Sequence, residues 1–180
     1  SFAEAGNSLV VNAPMISKVY FPRLILPTST VIVSLIDFLI SFAIMLALMV
    51  WYRFVPDIKI LLLPLFFLLV FMASIAGGLW IAALNVRYRD FRYIIPFVVQ
   101  FGLYISPVGF SSAVIPEKWR LLYSLNPMVG VIDGFRWAVL GGEYQLYWPG
   151  FLLSILLVVV ILFSGIAYFR KTEKTFADVI

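Results

Sequence analysis

The chain has neither cysteine nor histidine among its 180 residues. It therefore has no disulfide, thiol nucleophile or imidazole, and zinc sites and the usual acid–base constellations lose their commonest members. Charged residues make up only 12% of the chain, against about 25% in soluble domains. The GxxxxGK[ST] phosphate loop is also absent. These absences argue against an enzyme, and if the protein works with ATP, another chain must hydrolyse it.

The chain consists largely of long apolar runs. Hydrophobic residues make up 63% of the chain and aromatic residues 17%. Four runs are long enough to cross a bilayer as helices: residues 30–51, 60–84, 93–115 and 148–169. The run over 60–84 alone would rise about 37 Å, against a hydrocarbon core of about 30 Å. The sequence therefore predicts an all-α, polytopic helical membrane protein that lies in the lipid bilayer and binds no nucleic acid.

Basic residues orient these spans, because lysine and arginine are retained on the cytoplasmic side during insertion. The short segment between the second and third spans contains Arg87, Arg89 and Arg92. The same side would hold the other basic residues that flank the spans: Lys18, Arg23, Arg170, Lys171 and Lys174. The net charge of +4 follows from this bias. With four spans, both ends of the chain are expected to be cytoplasmic.

The amino-terminal residues 7–27 alternate polar or basic side chains with apolar ones, and Pro22 and Pro27 interrupt the chain before the first span. This pattern is typical of an interfacial helix followed by an elbow. The chain starts at Ser1 without the pattern of a signal peptide. We therefore expect earlier segments of a longer protein to precede it.

The region 111–148 is the least regular part of the sequence. It contains an apolar stretch, 128–140, that is too short to cross a bilayer. Asn126 and Pro127 separate two predicted short helices, because proline removes a backbone donor and disfavours helix in the residue before it. Asp133 and Arg136 are three residues apart and are predicted to pair on one helix face. Since unpaired backbone is costly in lipid, this region is expected to form a re-entrant lid at the outer surface.

Asp37 is the only ionisable residue inside a predicted span. A charge there is costly and usually faces a bundle interior, a partner or water. It either packs or lines a channel, or it serves as the single station of an ion or proton relay. Trp80, Phe101 and Tyr104 also lie inside predicted spans, where flat rings suit helix packing or a surface for sugars.

The charged segment between the second and third spans has two interpretations of its own. Its charged and aromatic residues are Arg87, Tyr88, Arg89, Asp90 and Phe91. Such a compact set suits docking of a soluble partner in a shallow cleft. Alternatively, the segment only fixes the topology. The residues by themselves leave both interpretations open.

Four stretches of the sequence form an ordered set: NSLVVNAPMISKVYFPRLILP, ALNVRYRDFRYIIPF, SLNPMVGVIDGFRWAVLG and YFRKTEKTFADVI. Together they resemble the ABC-2 type permeases of polysaccharide exporters, which move lipid-linked O-antigen, capsule or teichoic acid chains. The resemblance runs nearly from end to end. It covers the later part of such a permease, so the amino-terminal part of the ABC-2 (type V exporter) transmembrane domain is expected to be missing from this chain.

The resemblance also implies an assembly in the cytoplasmic membrane of a bacterium. Two permease copies would form a homodimer with a channel between them, and two copies of a separate ABC ATPase would dock beneath it. No cofactor would bind to this chain, because ATP and Mg²⁺ would bind to the ATPase. The substrate would be a lipid-linked glycan that is transported without covalent change.

Roles for particular residues follow from the same resemblance. Residues 1–29 would contain the end of a preceding span and a cytoplasmic gate, with Asn12, Lys18, Tyr20, Phe21 and Arg23. Residues 85–92 would form the coupling helix that contacts the ATPase, with Arg87, Tyr88, Arg89, Asp90 and Phe91. Residues 116–147 would form outer gate helices, with Asn126, Pro127, Asp133 and Arg136. The candidates for lining the channel are Asp37, Trp80, Phe101 and Tyr104.

Two alternative functions stay open. An ABC-2 exporter of small drugs or lipids would have a closed lateral cavity instead of a continuous channel. An ion-coupled carrier would work without an ATPase and would depend on Asp37.

Overall fold

A computed structural model describes residues 1–16, 18, 22–54, 58–88, 90–141 and 144–173. All regular elements within these residues are helical, so the predicted all-α class is confirmed. The α-helices are α1 (Phe2–Val11), α2 (Ala13–Ile16), α3 (Ile25–Trp51), α4 (Leu63–Arg87), α5 (Phe91–Ile105), α6 (Glu117–Tyr123), α7 (Pro127–Leu140) and α8 (Trp148–Glu173). Two short 3₁₀ helices lie at Ile58–Leu62 and Ser112–Val114.

Three helices among the described residues are long and apolar enough to cross a membrane. They are α3, α8, and α4 together with the 3₁₀ turn that leads into it, Ile58–Arg87. Each is a nearly unbroken apolar run, and a helix of that length pairs its own backbone groups without water. These helices contain the predicted spans 30–51, 60–84 and 148–169, and α3 and α8 extend beyond them. The chain is a membrane protein.

The fourth predicted span, 93–115, is wrong over its second part. The helix α5 has 15 residues and ends at Ile105. It would rise about 22 Å, which is less than the hydrocarbon core of about 30 Å. Pro107 explains the early end, because a proline disfavours helix in the residue before it. Further on, the Ser111 hydroxyl accepts a hydrogen bond from the Ala113 N–H at 3.2 Å and caps the next 3₁₀ turn.

The described residues of the predicted coupling helix, 85–92, belong to the end of α4, a short turn and the start of α5. The helix α4 ends at Arg87 and α5 begins at Phe91. The Phe91 N–H donates to the Tyr88 carbonyl at 3.0 Å, which closes the turn. Arg89 lies outside the described residues. The long apolar run of α4 stays helical into the charged segment, which leaves too few residues for a separate helix.

The chain divides into two compact units. The first unit contains residues 1–34, 72–102 and 159–180. Its buried apolar core comes from α1, α2, α4 and α8, with Leu9, Ile16, Leu79, Ala82, Ala83, Val86 and Phe169. Small residues let α1 lie close to α4, because a Cβ added at Gly78 would be 2.8 Å from the Ala5 Cβ.

The second unit contains residues 35–71 and 103–158. Its core is a group of buried apolar side chains: Leu63, Phe66, Leu69, Val131, Ala138, Leu146 and Phe151. Aromatic rings make much of the contact, and Phe66 lies 5.7 Å from both Phe135 and Phe151, between ring centroids. This core joins the start of α4 to α7 and α8, so the short helix α7 is packed against protein, as its backbone requires.

The close approach of α1 and α4 gives a stability prediction for Gly78→Ala. The new Cβ would overlap Ala5, whose Cβ is fixed to its backbone, so the two helices must move apart. Overpacking of this kind costs about 1–3 kcal/mol. We expect a lower midpoint of thermal unfolding for the purified, detergent-solubilised permease.

Gly102→Ala is the matched control, since a Cβ there meets no atom within 4 Å. Alanine is favoured over glycine inside a helix by about 0.5–1 kcal/mol, so this variant should be as stable as the wild type or slightly more stable. An unchanged midpoint for Gly78→Ala would contradict the close helix contact.

Candidate functional site

The turn between α4 and α5, which we call the 87–91 turn, presents charged and aromatic side chains. Arg87, Tyr88 and Asp90 are exposed, and Phe91 is half-buried. The Arg87 guanidinium lies over the Tyr88 ring at 5.4 Å from its centroid, and the Tyr88 and Phe91 centroids are 6.1 Å apart. The cation–π contact and the ring–ring contact both stabilise this arrangement of the three side chains. Arg87, Tyr88, Asp90 and Phe91 of the predicted coupling set therefore lie together on this turn.

A buried amide lies directly behind this turn. Asn85 is 1% exposed. Its side-chain N–H₂ donates to the Gly6 carbonyl at 2.8 Å and to Asn7 Oδ1 at 3.2 Å. Sequence reasoning missed Asn85, and the available signal was a single amide in the last turn of a long apolar run. The bonds join α1 to the end of α4.

The described members of the predicted cytoplasmic gate are anchored at different points. Asn12 follows α1 and donates through its side chain to the Ser8 carbonyl at 2.7 Å. Arg23 contacts the end of α8, where its backbone N–H donates to Glu173 Oε1 at 3.3 Å and its guanidinium to the Glu173 carbonyl. Lys18 is exposed. Tyr20 and Phe21 lie outside the described residues, so the gate as a set stays a prediction.

A pocket of about 400 Å³ lies between α1 and the first turns of α3. Its polar lining consists of Glu4, Asn7, Ser8, Asn12, Ser29 and Thr30. Most of these hydroxyl and amide groups already bond within their own helices, such as Ser29 to Leu26 and Thr30 to Pro27. The predicted gate residue Asn12 therefore lies in the lining of this pocket.

The predicted channel-lining residues divide into packed and exposed side chains. The Trp80 ring stacks on Tyr168 with centroids 4.7 Å apart, and its N–H donates to the Ser164 hydroxyl at 3.2 Å. Trp80 thus packs within the chain, which was one of its two interpretations. Asp37 is exposed on α3, and Tyr104 is exposed on α5.

Phe101 belongs to an exposed aromatic face of α5. Tyr93, Phe97 and Phe101 are 80%, 65% and 54% exposed, and they recur every four residues, so they lie on one face of the helix. The Phe97 and Phe101 rings stack with centroids 5.7 Å apart. Ile95 is 1% exposed and anchors the other side of the helix. This face offers flat, parallel rings.

The predicted break at Asn126 and Pro127 is confirmed. Asn126 caps α7, because its Oδ1 accepts a hydrogen bond from the Met128 N–H at 3.0 Å. Pro127 occupies the first turn, where its missing N–H has no cost. The two predicted short helices are α6 and α7.

The predicted ion pair between Asp133 and Arg136 is wrong. Asp133 is buried and accepts a hydrogen bond from the Tyr144 hydroxyl at 2.8 Å. Arg136 donates to the carbonyls of Phe110 at 2.6 Å and Val108 at 2.9 Å. The spacing along α7 was compatible with a pair, but the guanidinium reaches backbone carbonyls that no helix satisfies.

The end of α5 and the segment 106–111 that follows it are bound by side chains from α6 and α7. Besides Arg136, Tyr123 donates from its hydroxyl to the Ile105 carbonyl at 2.6 Å, and Asn126 donates to the Ser106 hydroxyl at 3.0 Å. Burial raises the pKa of Tyr123, Asp133 raises it further, and Arg136 lowers it. The phenol therefore stays protonated and donating at neutral pH.

None of the described residues form a group of three or more Asp or Glu side chains that could hold a metal ion. The expected binding of ATP and Mg²⁺ to a partner is not addressed by these residues and stays a prediction. The described side chains are suited to recognising a partner through charge, aromatic rings and hydrogen bonds.

Comparison with known proteins decides the family. A family model described as the ABC-2 type transporter matches residues 1–140, well over half of the chain. The chain belongs to the ABC-2 type transporter family. It is therefore a transport component of the membrane, and ABC-2 permeases of export systems work with an ATPase subunit.

Three similar proteins align with almost the whole length of this ABC-2 permease. An O-antigen export system permease protein RfbA of Klebsiella pneumoniae is 27% identical over 99% of this chain and 70% of its own length. A second RfbA of Klebsiella pneumoniae is 25% identical, with the same coverage. The RfbA of Myxococcus xanthus is 28% identical over 99% of this chain and 69% of its own length.

The contacts of Arg136 give a prediction for the permease. Replacing Arg136 with Met removes the donor of the exposed hydrogen bonds to the Phe110 and Val108 carbonyls. We expect faster amide hydrogen exchange over residues 106–111 in detergent, measured by mass spectrometry. Arg136→Lys should give an intermediate rate, because an ammonium lacks the planar fork that reaches both carbonyls.

Lys118→Met is the matched control, since Lys118 is exposed and lies over the Trp119 ring, 5.9 Å from the centroid. It removes a positive charge from the neighbouring helix and should leave exchange over 106–111 unchanged. Equal exchange in the Arg136→Met variant and the wild type would show that Arg136 does not hold this segment.

Proposed function

We propose that this ABC-2 permease is a subunit of an ATP-driven exporter that moves lipid-linked polysaccharide across the cytoplasmic membrane of a bacterium. The observation that carries the proposal is the similarity of almost the whole chain to three O-antigen export permeases. The glycan class follows from those relatives, whose names specify O-antigen export.

The energy source in this proposal is a separate ABC ATPase in two copies, which binds ATP and Mg²⁺. Its docking surface on the permease is the 87–91 turn, which lies on the cytoplasmic side. The exposed Arg87, Tyr88 and Asp90 support this assignment, because a compact charged and aromatic surface suits a shallow cleft. ATP binding moves the turn and favours an open path.

The path itself forms between this permease and a second copy in a homodimer. Two observations support it. The helix α3 is the least covered span, with 6% of its apolar window buried against 22% and 28% for the other two. The helix α5 presents the stacked Phe97 and Phe101 rings. Flat rings bind sugars through many weak contacts, and a polymer advances along weak contacts where a tight site would hold it.

Reversing charges on the 87–91 turn tests the proposal. In Arg87→Glu combined with Asp90→Lys, the electrostatic match to the ATPase is inverted, and like charges facing each other across an interface cost several kcal/mol. We expect the variant to insert normally, to lose the co-purifying P-loop ATPase and to stop exporting glycan. The measurement is a detergent pull-down of the full-length permease followed by identification of bound proteins.

Lys118→Glu provides the control for this pull-down. It reverses an exposed charge on α6, on the side of the membrane assigned to the outer surface, and should retain the ATPase. Full recovery of the ATPase with the double reversal would rule out docking at the turn. Absence of any ATPase from the wild-type pull-down would sink the exporter function itself.

Asp37 separates the exporter from an ion-coupled carrier. It is exposed on α3. In a carrier the carboxylate must bind and release the ion, so Asp37→Asn would abolish transport. In the exporter it contributes a polar group to a path, and we expect Asp37→Asn to keep export within about threefold of the wild type, a change of less than 1 kcal/mol. The readout is surface glycan in cells that depend on this permease.

A further inference from the structure

The bond from Asn85 to α1 is a direct link between two helices at the cytoplasmic end of the first unit. Asn85 lies in the last turn of α4, just before Arg87. Its side chain donates to the Gly6 carbonyl and to Asn7 Oδ1, at 2.8 and 3.2 Å. Both acceptors belong to α1. Any displacement of the end of α4 therefore acts on α1 through this amide.

The packing around the bond leaves the helices little freedom to slide. A Cβ at Gly6 would overlap the Ile81 side chain, and one at Gly78 would be 2.8 Å from the Ala5 Cβ. Ala5 and Leu9 are 0% exposed. The apolar contact holds the helices together, and the directional hydrogen bonds determine their register, because hydrogen bonds depend on angle and dispersion does not.

Two features indicate that stability alone does not require an asparagine here. The Gly6 carbonyl already accepts the hydrogen bond of its own helix, from the N–H four residues later. Asn85 Oδ1 is buried and has no hydrogen-bond partner among the described residues, which costs stability. An apolar side chain of the same shape would avoid that cost. What it would lack is the donor that joins α4 to α1.

We infer that Asn85 is a positioning residue that makes α1 follow the 87–91 turn when a docked ATPase moves it. This inference rests on the proposed function. Arg87, the first residue of the turn, is also the last residue of α4, and α1 ends at Val11, directly before the predicted gate residue Asn12. The amide thus connects the docking surface to the gate. Without it, the ATPase still binds and hydrolyses ATP, but only apolar contacts carry α1 along and its register to α4 is lost.

Asn85→Leu tests the link, because leucine has nearly the shape of asparagine and no donor. In the reconstituted complex of full-length permease and ATPase, we expect ATP hydrolysis within about twofold of the wild type. The amount of glycan exported per ATP should fall by about fivefold or more, since about fivefold is the lower end of typical allosteric coupling. Ser8→Ala is the matched control. Ser8 is also buried, but its hydroxyl donates to the Ala5 carbonyl within α1, so its loss should leave the ratio unchanged.

Asn7→Ala removes the other end of the 3.2 Å bond and guards against misfolding of the first variant. It should also lower the ratio of export to hydrolysis, but by less than Asn85→Leu does, because the bond to Gly6 remains. Parallel loss of hydrolysis and export in both variants would mean that Asn85 only supports the fold. An unchanged ratio would equally overturn the inference.

Hydrogen exchange in the permease without ATPase examines the link on its own. We expect Asn85→Leu to increase deuterium uptake in residues 2–11 while uptake in α8 stays at the wild-type level, and Ser8→Ala to spare the α4 end. If deuterium uptake in α1 of the Asn85→Leu variant equals that of the wild type, Asn85 does not link α1 to α4. Failure of the proposed function is recognised separately, since the wild-type permease would then bind no ATPase at all.

Discussion

The constraint on which this structure depends is that backbone N–H and C=O groups cannot be left unpaired in a membrane. Three long helices satisfy it by themselves. Where α5 ends at Ile105, the next carbonyls are satisfied by side chains from α6 and α7, with Arg136 donating to Val108 and Phe110. An interrupted helix is thereby tolerated, because a charged side chain replaces the donors that a continuous helix would have supplied.

In our proposal, buried hydrogen bonds give the first unit its means of coupling to the ATPase. The first unit is held by apolar contacts and small residues, and its buried Asn85 joins α1 to the end of α4. The 87–91 turn follows at once, with exposed charges and rings. In our proposal, motion of the turn reaches α1 through the amide of Asn85.

The sequence predicted most of what depends on local patterns. Apolar runs located three spans, and Asn126 with Pro127 located the break between α6 and α7, because those features act within a few residues. The errors concern partners far apart in the chain. The apolar residues up to Ile115 looked like a continuing span, although Pro107 had already ended the helix. Arg136 seemed paired with Asp133 because its true acceptors, 26 and 28 residues away, cannot be seen from spacing. Asn85 was missed since its partners are on α1.

Transport itself is the most direct test of the exporter account. Full-length permease and its co-purifying ATPase would be reconstituted in vesicles loaded with a lipid-linked glycan, and the glycan reaching the far side would be measured with an impermeant glycosidase. The account predicts that glycan becomes accessible only when ATP and Mg²⁺ are supplied and both proteins are present. Movement of glycan with the permease alone, driven by an ion gradient, or no ATP-dependent movement with both proteins, would contradict it.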